Sequence, residues 1–401
     1  MVDDSAMSAI AKAHGMDGTL VEPDWLPLTL AELRALFTHF PSLGEPIEIL
    51  SASPRPFSAA GVLATSRGRV FVKRHHCTVR DREGLLEEHR FMAHLLAHGA
   101  SVPRVFASAS GQTAIEIQEW TYEVHETPEG VDLYEDAISW TPFRSTAHAQ
   151  AAGQALARLH VASQGFGALR RKPRPLVAGF TIFASRDPGV ELERYLAARP
   201  VLAAQAAVRV SSKQALQLLA PFHARLLPLL PELPPLWTHN DLHASNLLWS
   251  DAGDGAQGTA IIDFGLADRT NAVHDLAHAI ERNIVEWLAL VRDPAHPEDV
   301  PVHLDHLQAL LDGYESVRAL AAEEAAALAP MTALCHAEFA LSEADYFLAV
   351  LRSKGKAAMA YEGWLVGHAR WFRGPGGTRL LNAIERWTAT RDRHPHKVGE
   401  P

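Results

Sequence analysis

Asp241 lies five residues before Asn246 in the segment W-T-H-N-D-L-H-A-S-N-L-L-W, and a D-F-G triplet opens at Asp263, seventeen residues beyond Asn246. Phosphoryl transfer from Mg-ATP uses such a set: one carboxylate at the acceptor hydroxyl, and an amide with a second carboxylate on the metal. The apolar triplets Leu247-Leu248-Trp249 and Ala260-Ile261-Ile262 flank a turn and are expected to pair as strands. That pairing brings Asn246 and Asp263 to the same end of a hairpin, where one Mg²⁺ could bridge them. Asp241 is then base or orienting group, and His239 braces the loop through a hydrogen bond. Two readings compete with this one. His239 and His243, four residues apart, could be a metal pair, or the segment could be a surface loop whose carboxylates meet by chance.

A nucleotide also needs a cation at its α- and β-phosphates, held in place by a carboxylate. Arg69-Val70-Phe71-Val72-Lys73 alternates as a strand and puts Lys73 on the face of Phe71. In the helix expected over 84–98, Glu88 shares the apolar stripe of Leu85, Phe91, Met92 and Leu95, while Glu87 turns outward with His94 and His98. A carboxylate on an inner face wants a cationic partner, and Lys73 is the candidate. A solvated strand-end lysine and a surface glutamate form the plain alternative. The loop from Ser53 to Gly61 could meet phosphate through backbone N–H groups and the hydroxyls of Ser53 and Ser58. Pro54 and Pro56 donate nothing there, and an ordinary hairpin turn has the same composition.

Other motifs fall away. G-D-G-A-Q-G over 253–258 spells the dinucleotide fingerprint, but a strand follows it where the fingerprint requires a helix. No G-x-x-x-x-G-K-[S/T] sequence occurs. His75-His76-Cys77 reads as solvated strand-end residues, because no second ligand cluster stands out beside it. Asp275 is expected to cap a helix beginning at Leu276, and Arg269 to lie exposed.

The elements that must carry these residues divide the chain. Residues 1–45 form an N-terminal extension with one short helix near Thr29. Strands over 47–50, 62–65, 69–73, 105–107 and 113–120 surround the helix over 84–98. Helices then dominate: 147–160, 190–198, 212–230, 273–290, 304–320, 331–351, 358–372 and 378–387. Strands first and helices later predict an α+β chain of two lobes: 46–120, small and β-rich, and 121–393, larger and helical, with the catalytic hairpin at 237–265 and a frayed tail at 394–401. Hydrophobic residues make up 47% of the 401, enough for a proper core. A net charge of −10 gives no footprint for nucleic acid. Cys77 and Cys335 are the only cysteines, so no disulfide framework is implied. The acidic start M-V-D-D-S-A-M-S is no secretory signal. The most apolar stretch, 215–236, is broken by five prolines and cannot span a membrane. A soluble cytoplasmic protein is expected.

His239-Asn-Asp-Leu-His-Ala-Ser-Asn246, with Ile262-Asp-Phe-Gly265 and Asp275-Leu-Ala, resembles the aminoglycoside phosphotransferase and choline kinase-like family. Val70-Phe-Val-Lys73, Leu86-Glu-Glu-His-Arg-Phe91 and Ala155-Leu-Ala-Arg-Leu-His160 extend the likeness, with some similarity to bacterial stress-response kinase A. The resemblance implies a protein-kinase-like two-lobed fold, Asp241 as catalytic aspartate, Asn246 and Asp263 on Mg²⁺, and Lys73 with Glu88 orienting ATP. It also implies that Gln118, Glu119 and Trp120 form the hinge that meets adenine, and that acceptors bind the helical lobe. Candidates there are Glu338, Glu343, Asp345 and Tyr346; a solvated helix face would give the same pattern. Asn240 stands where the family usually has glycine, and asparagine is the next most tolerant of positive φ. Phe71 stands on the adenine face where a smaller residue is common.

The expected function is transfer of the γ-phosphate of ATP to a hydroxyl of a small molecule. A Ser/Thr protein kinase is the alternative, disfavoured by the short segment between the D-F-G and the next helix. A non-catalytic nucleotide-binding module is the third, and it would have no need of Asp241.

Overall fold

The computed structural model describes residues 13–14, 19–21 and 23–391. The expectations about residues 1–8 and the tail 394–401 lie outside them. The chain forms two compact units, one of residues 1–93 and 103–128, the other of 94–102 and 129–401. The first is a small antiparallel sheet with helices and the second is mainly helical, so the fold is α+β. No helix among the described residues is long and apolar enough to cross a membrane.

The small unit begins with α1 (Leu30–Phe37). Thr29 starts it with a capping box: its hydroxyl accepts from Glu32 N–H while the Glu32 carboxylate accepts from Thr29 N–H, each at 3.2 Å. The sheet has strands β1 (Pro46–Ala52), β2 (Ala59–Thr65), β3 (Gly68–His76), β4 (Ile115–Ile117) and β5 (Trp120–Glu126), in the order β1-β2-β3-β5-β4. Leu33, Leu36, Phe37 and Phe40 pack onto the sheet face made by Leu63, Val70, Val72, Ile115, Tyr122 and Val124. Each fully buried Leu or Phe there contributes about 1.5–3 kcal/mol. Part of the N-terminal extension is therefore core of this unit. The opposite sheet face carries Phe71, Lys73 and His75 from β3, in register with His125, Glu123 and Thr121 of β5. Helix α2 (Arg82–Ala97) follows β3, with Leu85, Glu88, Phe91, Met92 and Leu95 buried as the stripe predicts.

Three expectations fail here. The strand expected over 113–120 is two strands, separated at Gln118, which takes a positive φ of 56°. The strand expected over 105–107 is only a bridge from Val105 to His125. The boundary set at Trp120 belongs at Pro128, because β5 continues the sheet to Glu126. Both faces of β5 are buried, Tyr122 and Val124 in the core and Thr121, Glu123 and His125 on the other side, and the polar face leaves no apolar mark on the sequence.

In the large unit the longer elements are α3 (Thr146–Ala162), α4 (Pro188–Ala197), α5 (Ala206–Leu226), β6 (Pro235–Thr238), β7 (Leu247–Trp249), β8 (Gly258–Ile261), β9 (Asp268–Asn271), α6 (Ala272–Ile284), α7 (Leu304–Glu315), α8 (Ala322–Leu334), α9 (His336–Asp345) and α10 (Pro375–Arg391). The helix expected over 331–351 begins earlier, at Ala322, with Pro330 inside it. The helix expected over 273–290 stops at Ile284, where Val285 leaves to bridge Val302. Strand β7 pairs with β8, and β6 with β9, both antiparallel, so one hairpin is nested in another. The nesting brings two loops, 239–246 and 262–267, to the same end.

Candidate active site

The 239–246 loop is held by helix α6. Asn271 caps that helix by accepting from His274 N–H at 2.9 Å. Asp275 is therefore no cap, contrary to expectation; it lies in the first turn, fully buried. Its carboxylate accepts the backbone N–H groups of His239 and Asn240, both at 2.8 Å, and meets His160 Nε2 at 3.0 Å. Burial pushes this carboxyl up, but the hydrogen bond and charge of His160 and the His239 N–H overcome it and hold it below its ordinary value. Two turns on, Asn283 fastens the other half of the loop. It accepts from Ala244 N–H and donates to the Leu242 carbonyl, both at 3.0 Å.

Within the loop, Asn240 sits at φ 61°. Its Oδ1 accepts from the hydroxyls of Thr238 at 2.8 Å and Thr270 at 3.1 Å, and its Nδ2 donates to the Leu266 carbonyl at 3.2 Å. His239 Nδ1 accepts from Asp241 N–H at 3.2 Å, so the ring proton is on Nε2, which donates to the Ile262 carbonyl at 3.0 Å. His239 thus ties one loop to the other. His243 is engaged with the Ser245 hydroxyl at 2.8 Å.

The Asp241 side chain keeps 19% of its surface exposed, and its Oδ1 lies 3.0 Å from Arg282 Nε. Burial pushes the Asp241 carboxyl above its ordinary value; Arg282 and His239 pull it back, and the charge of Asp263 adds to the rise. Asn246 Nδ2 donates to the Asp241 carbonyl at 2.9 Å, which leaves Oδ1 to face another partner. The Asn246 carbonyl accepts from Ile262 N–H at 2.9 Å, so the hairpin brings Asn246 beside the residue preceding Asp263. Asp263 is exposed and left-handed, at φ 61° and ψ 77°. A non-glycine residue held there costs about 1–3 kcal/mol, which the surrounding structure must offset.

Arg282 was not singled out in the sequence. It lies seven residues after Asp275 on α6, the spacing of one helix face, and that is the signal that could have found it. Its guanidinium stacks 4.1 Å from the Phe339 ring and 4.6 Å from the Trp140 ring. Among the described residues its Nη2 has no hydrogen-bond partner.

The candidates for the acceptor site do not lie on a solvated helix face: Glu338, Glu343, Asp345 and Tyr346 are all buried. The Glu338 carboxylate accepts from the Thr181 and Ile182 backbone N–H groups and the Thr181 hydroxyl, so it fastens a loop. Asp345 lies 3.7 Å from Arg199 Nε. Glu343 differs. Burial pushes its carboxyl up to about 8 against the pull of Arg282, while the charges of Asp241 and Glu281 add to the rise. Its Oε2 has no hydrogen-bond partner among the described residues.

In the small unit Lys73 is half-buried and faces Glu123 across the ladder. Glu88 accepts from Arg80 Nε at 2.9 Å. Ser53 N–H closes the β1–β2 turn onto the Ala60 carbonyl at 2.8 Å, and its hydroxyl accepts from Arg55 N–H; Ser58 is half-buried in the same turn. Phe71 meets His125 edge-on at 6.4 Å. Gln118, Glu119 and Trp120 do not link the units. They form the β4–β5 turn, where Glu119 accepts from Cys77 N–H and the Trp120 ring lies 4.2 Å from the Arg74 guanidinium. The chain leaves the small unit after Pro128.

The profile of the phosphotransferase enzyme family matches residues 58–320. A homoserine kinase from Methylobacterium radiotolerans is 27% identical over 271 residues, covering 66% of this chain and 70% of that protein. Among solved structures, a microcompartment-associated aminopropanol kinase superposes with a TM-score of 0.54 at 17% identity, over 90% of this chain and all of that one. The aminoglycoside phosphotransferase APH(4)-Ia superposes with a TM-score of 0.50 at 15% identity, over 85% of this chain and 98% of that one. At these identities the structures speak to the fold alone.

Proposed function

The chain belongs to the phosphotransferase enzyme family, and we propose that it moves the γ-phosphate of Mg-ATP to a hydroxyl of a small molecule with Asp241 as base. The observation that carries this is the Asp241 carboxylate. It is partly exposed, raised in basicity by burial, and fixed from behind by Arg282 at 3.0 Å. A positioned base of raised pKa is suited to take a hydroxyl proton. The acceptor oxygen forms the new bond to the γ-phosphorus, the bond from phosphorus to the β–γ bridging oxygen breaks, and the hydroxyl proton passes to Asp241. Asn246 Oδ1 and the exposed Asp263 carboxylate are hard oxygen donors at one end of the hairpin, and they fit Mg²⁺. Bound there, the ion supplies neutralisation of the β- and γ-phosphate charge. Lys73 is assigned to the α- and β-phosphates.

A small acceptor is favoured over a peptide. Asp263 is followed at once by a short turn, by β9 and by α6, leaving no length for a peptide platform. On α9, Glu343 feels the charge of Asp241, and we take it as a wall of the acceptor site.

The test is γ-labelled ATP and Mg²⁺ with a cell extract split into metabolite and protein fractions. Label entering metabolites with the wild type and falling about 10²–10⁴-fold with Asp241→Asn, while a non-hydrolysable analogue still binds, is the expected result. Unchanged turnover in that variant removes Asp241 from the mechanism. Label entering proteins instead makes the acceptor a polypeptide.

A further inference from the structure

Glu123 is a buried carboxylate ringed by imidazoles. His75 Nε2 lies 3.0 Å from its Oε1, and His89 Nε2 and His125 Nε2 each lie 2.8 Å from its Oε2. All four residues are at least nine-tenths buried. His75 comes from β3, His89 from α2, and Glu123 and His125 from alternate positions of β5, which point to one sheet face. None of them belongs to the phosphotransfer machinery proposed above.

A hydrogen-bonded cluster explains only part of this. His75 and His89 are placed to donate one proton to each carboxylate oxygen. His125 Nε2 crowds the oxygen already used by His89, in a geometry that makes no hydrogen bond, and it is buried without another partner among the described residues. A buried polar nitrogen without a well-formed hydrogen bond costs about 1–3 kcal/mol unless something else satisfies it. The ligand atoms of His89, Glu123 and His125 all lie within 4.8 Å of one another. His89 also bonds through Nδ1 to the Thr113 hydroxyl at 2.9 Å. With the hydroxyl accepting Nδ1–H, the Nε2 lone pair would be free for a metal in place of the hydrogen bond to Glu123.

We propose that His89, Glu123 and His125 form a site for a divalent transition metal of the Zn²⁺ type. Imidazole nitrogen with one carboxylate suits Zn²⁺ and its neighbours, whereas Mg²⁺ prefers oxygen throughout. The site is therefore chemically separate from the oxygen donors of Asn246 and Asp263. The ion would pin α2 to β5 one residue beyond Glu88 and directly across the ladder from Lys73. His75, which the sequence alone presents as a solvated strand-end residue, becomes part of a buried cluster.

The test uses the full chain, stripped with a chelator and titrated with Zn²⁺ by calorimetry and with Co²⁺ by visible absorption. A His306→Ala background removes the separate surface group of His303, Asp305 and His306. The expected result is one ion per chain, not displaced by millimolar Mg²⁺, with the d–d bands of a low-coordinate nitrogen–oxygen site. His125→Ala should abolish binding, and Thr113→Val should weaken it about 10–100-fold. If His125→Ala fails to fold, X-ray absorption of the zinc-loaded background protein decides: imidazole scattering at about 2.0 Å supports the site, and a shell without it does not. No saturable binding, or binding untouched by a folded His125→Ala, makes the cluster a hydrogen-bonded one only and overturns the proposal.

Discussion

Asn240 combines two constraints in one side chain. Its backbone is left-handed, at φ 61°, and its amide is enclosed among Thr238, Thr270 and the Leu266 carbonyl. The first constraint is legible in the sequence, because asparagine stands where a turn wants glycine. The second is not, since its partners come from β6, the 262–267 loop and β9 and only the fold assembles them. Glycine would keep the backbone and lose the amide. The same limit hid the state of Glu343. On a helix read from sequence it is one acid among several, while in the fold its carboxyl is raised from 4.5 to about 8 by burial. A carboxyl that is harder to ionise folded than unfolded weakens the fold as pH rises from its unfolded to its folded value. Glu343→Gln should therefore leave stability unchanged below about pH 4.5 and raise it progressively up to about pH 8, by at most about 1.4 kcal/mol per pH unit. Denaturant midpoints of both proteins across that range measure the difference. A gain that is flat with pH would mean that Glu343 is not the titrating group. If Glu343 lines the acceptor site, the more stable variant should also show a raised KM for the acceptor.

Helix α6 shows how much function one element can carry. Asp275, Arg282 and Asn283 all meet the 239–246 loop from it, at its first turn and its last. The hairpin at 247–261 and the helix boundaries near 146 and 188 follow from apolar spacing and were legible. Strand β5 was not, because the face opposite Tyr122 and Val124 is buried yet polar, and neither was the role of Asp275, because a cap and a first-turn carboxylate look alike in sequence. Packing between α3 and α7 was equally hidden. A Cβ on Gly153 would lie 2.0 Å from the Leu310 carbonyl oxygen, and one on Gly313 would lie 2.2 Å from that of Gln150. The two helices touch backbone to backbone there, and backbone cannot swing aside as a side chain can. Helix propensity alone favours Gly153→Ala by up to about 1 kcal/mol. The contact should reverse the sign, with a net loss of about 1–3 kcal/mol from overpacking. Gly355→Ala, in a helix with nothing within 4 Å of the new Cβ, is the control and should be neutral or stabilising. Equal shifts in the two denaturation curves would show that α3 and α7 can part without loss.

At the scale of the molecule, the change from strand-rich to helix-rich sequence foretold an α+β chain, and the misplaced boundary arose from the single strand β5. The division has a practical consequence. Nine tryptophans are present, and only Trp25 and Trp120 fall in the unit of 1–93 and 103–128. Intrinsic fluorescence therefore reports chiefly on the helical unit, where Trp237, Trp249, Trp287 and Trp364 are fully buried. Asn246 and Asp263 belong to that unit, so a ligand they hold must stabilise the transition the tryptophans follow. With Mg²⁺ and a non-hydrolysable ATP analogue at about 100 times Kd, linkage gives about 2.7 kcal/mol. Asp263→Asn should erase the part of that gain that depends on Mg²⁺ while leaving the unliganded curve almost unmoved, since Asp263 is exposed and the substitution keeps its size. Asp241→Asn should retain the gain, because its proposed work is on the acceptor proton and not on the nucleotide. A Mg²⁺-dependent shift that survives Asp263→Asn would place the metal elsewhere, and a shift lost in Asp241→Asn as well would mean that the two aspartates hold the nucleotide together.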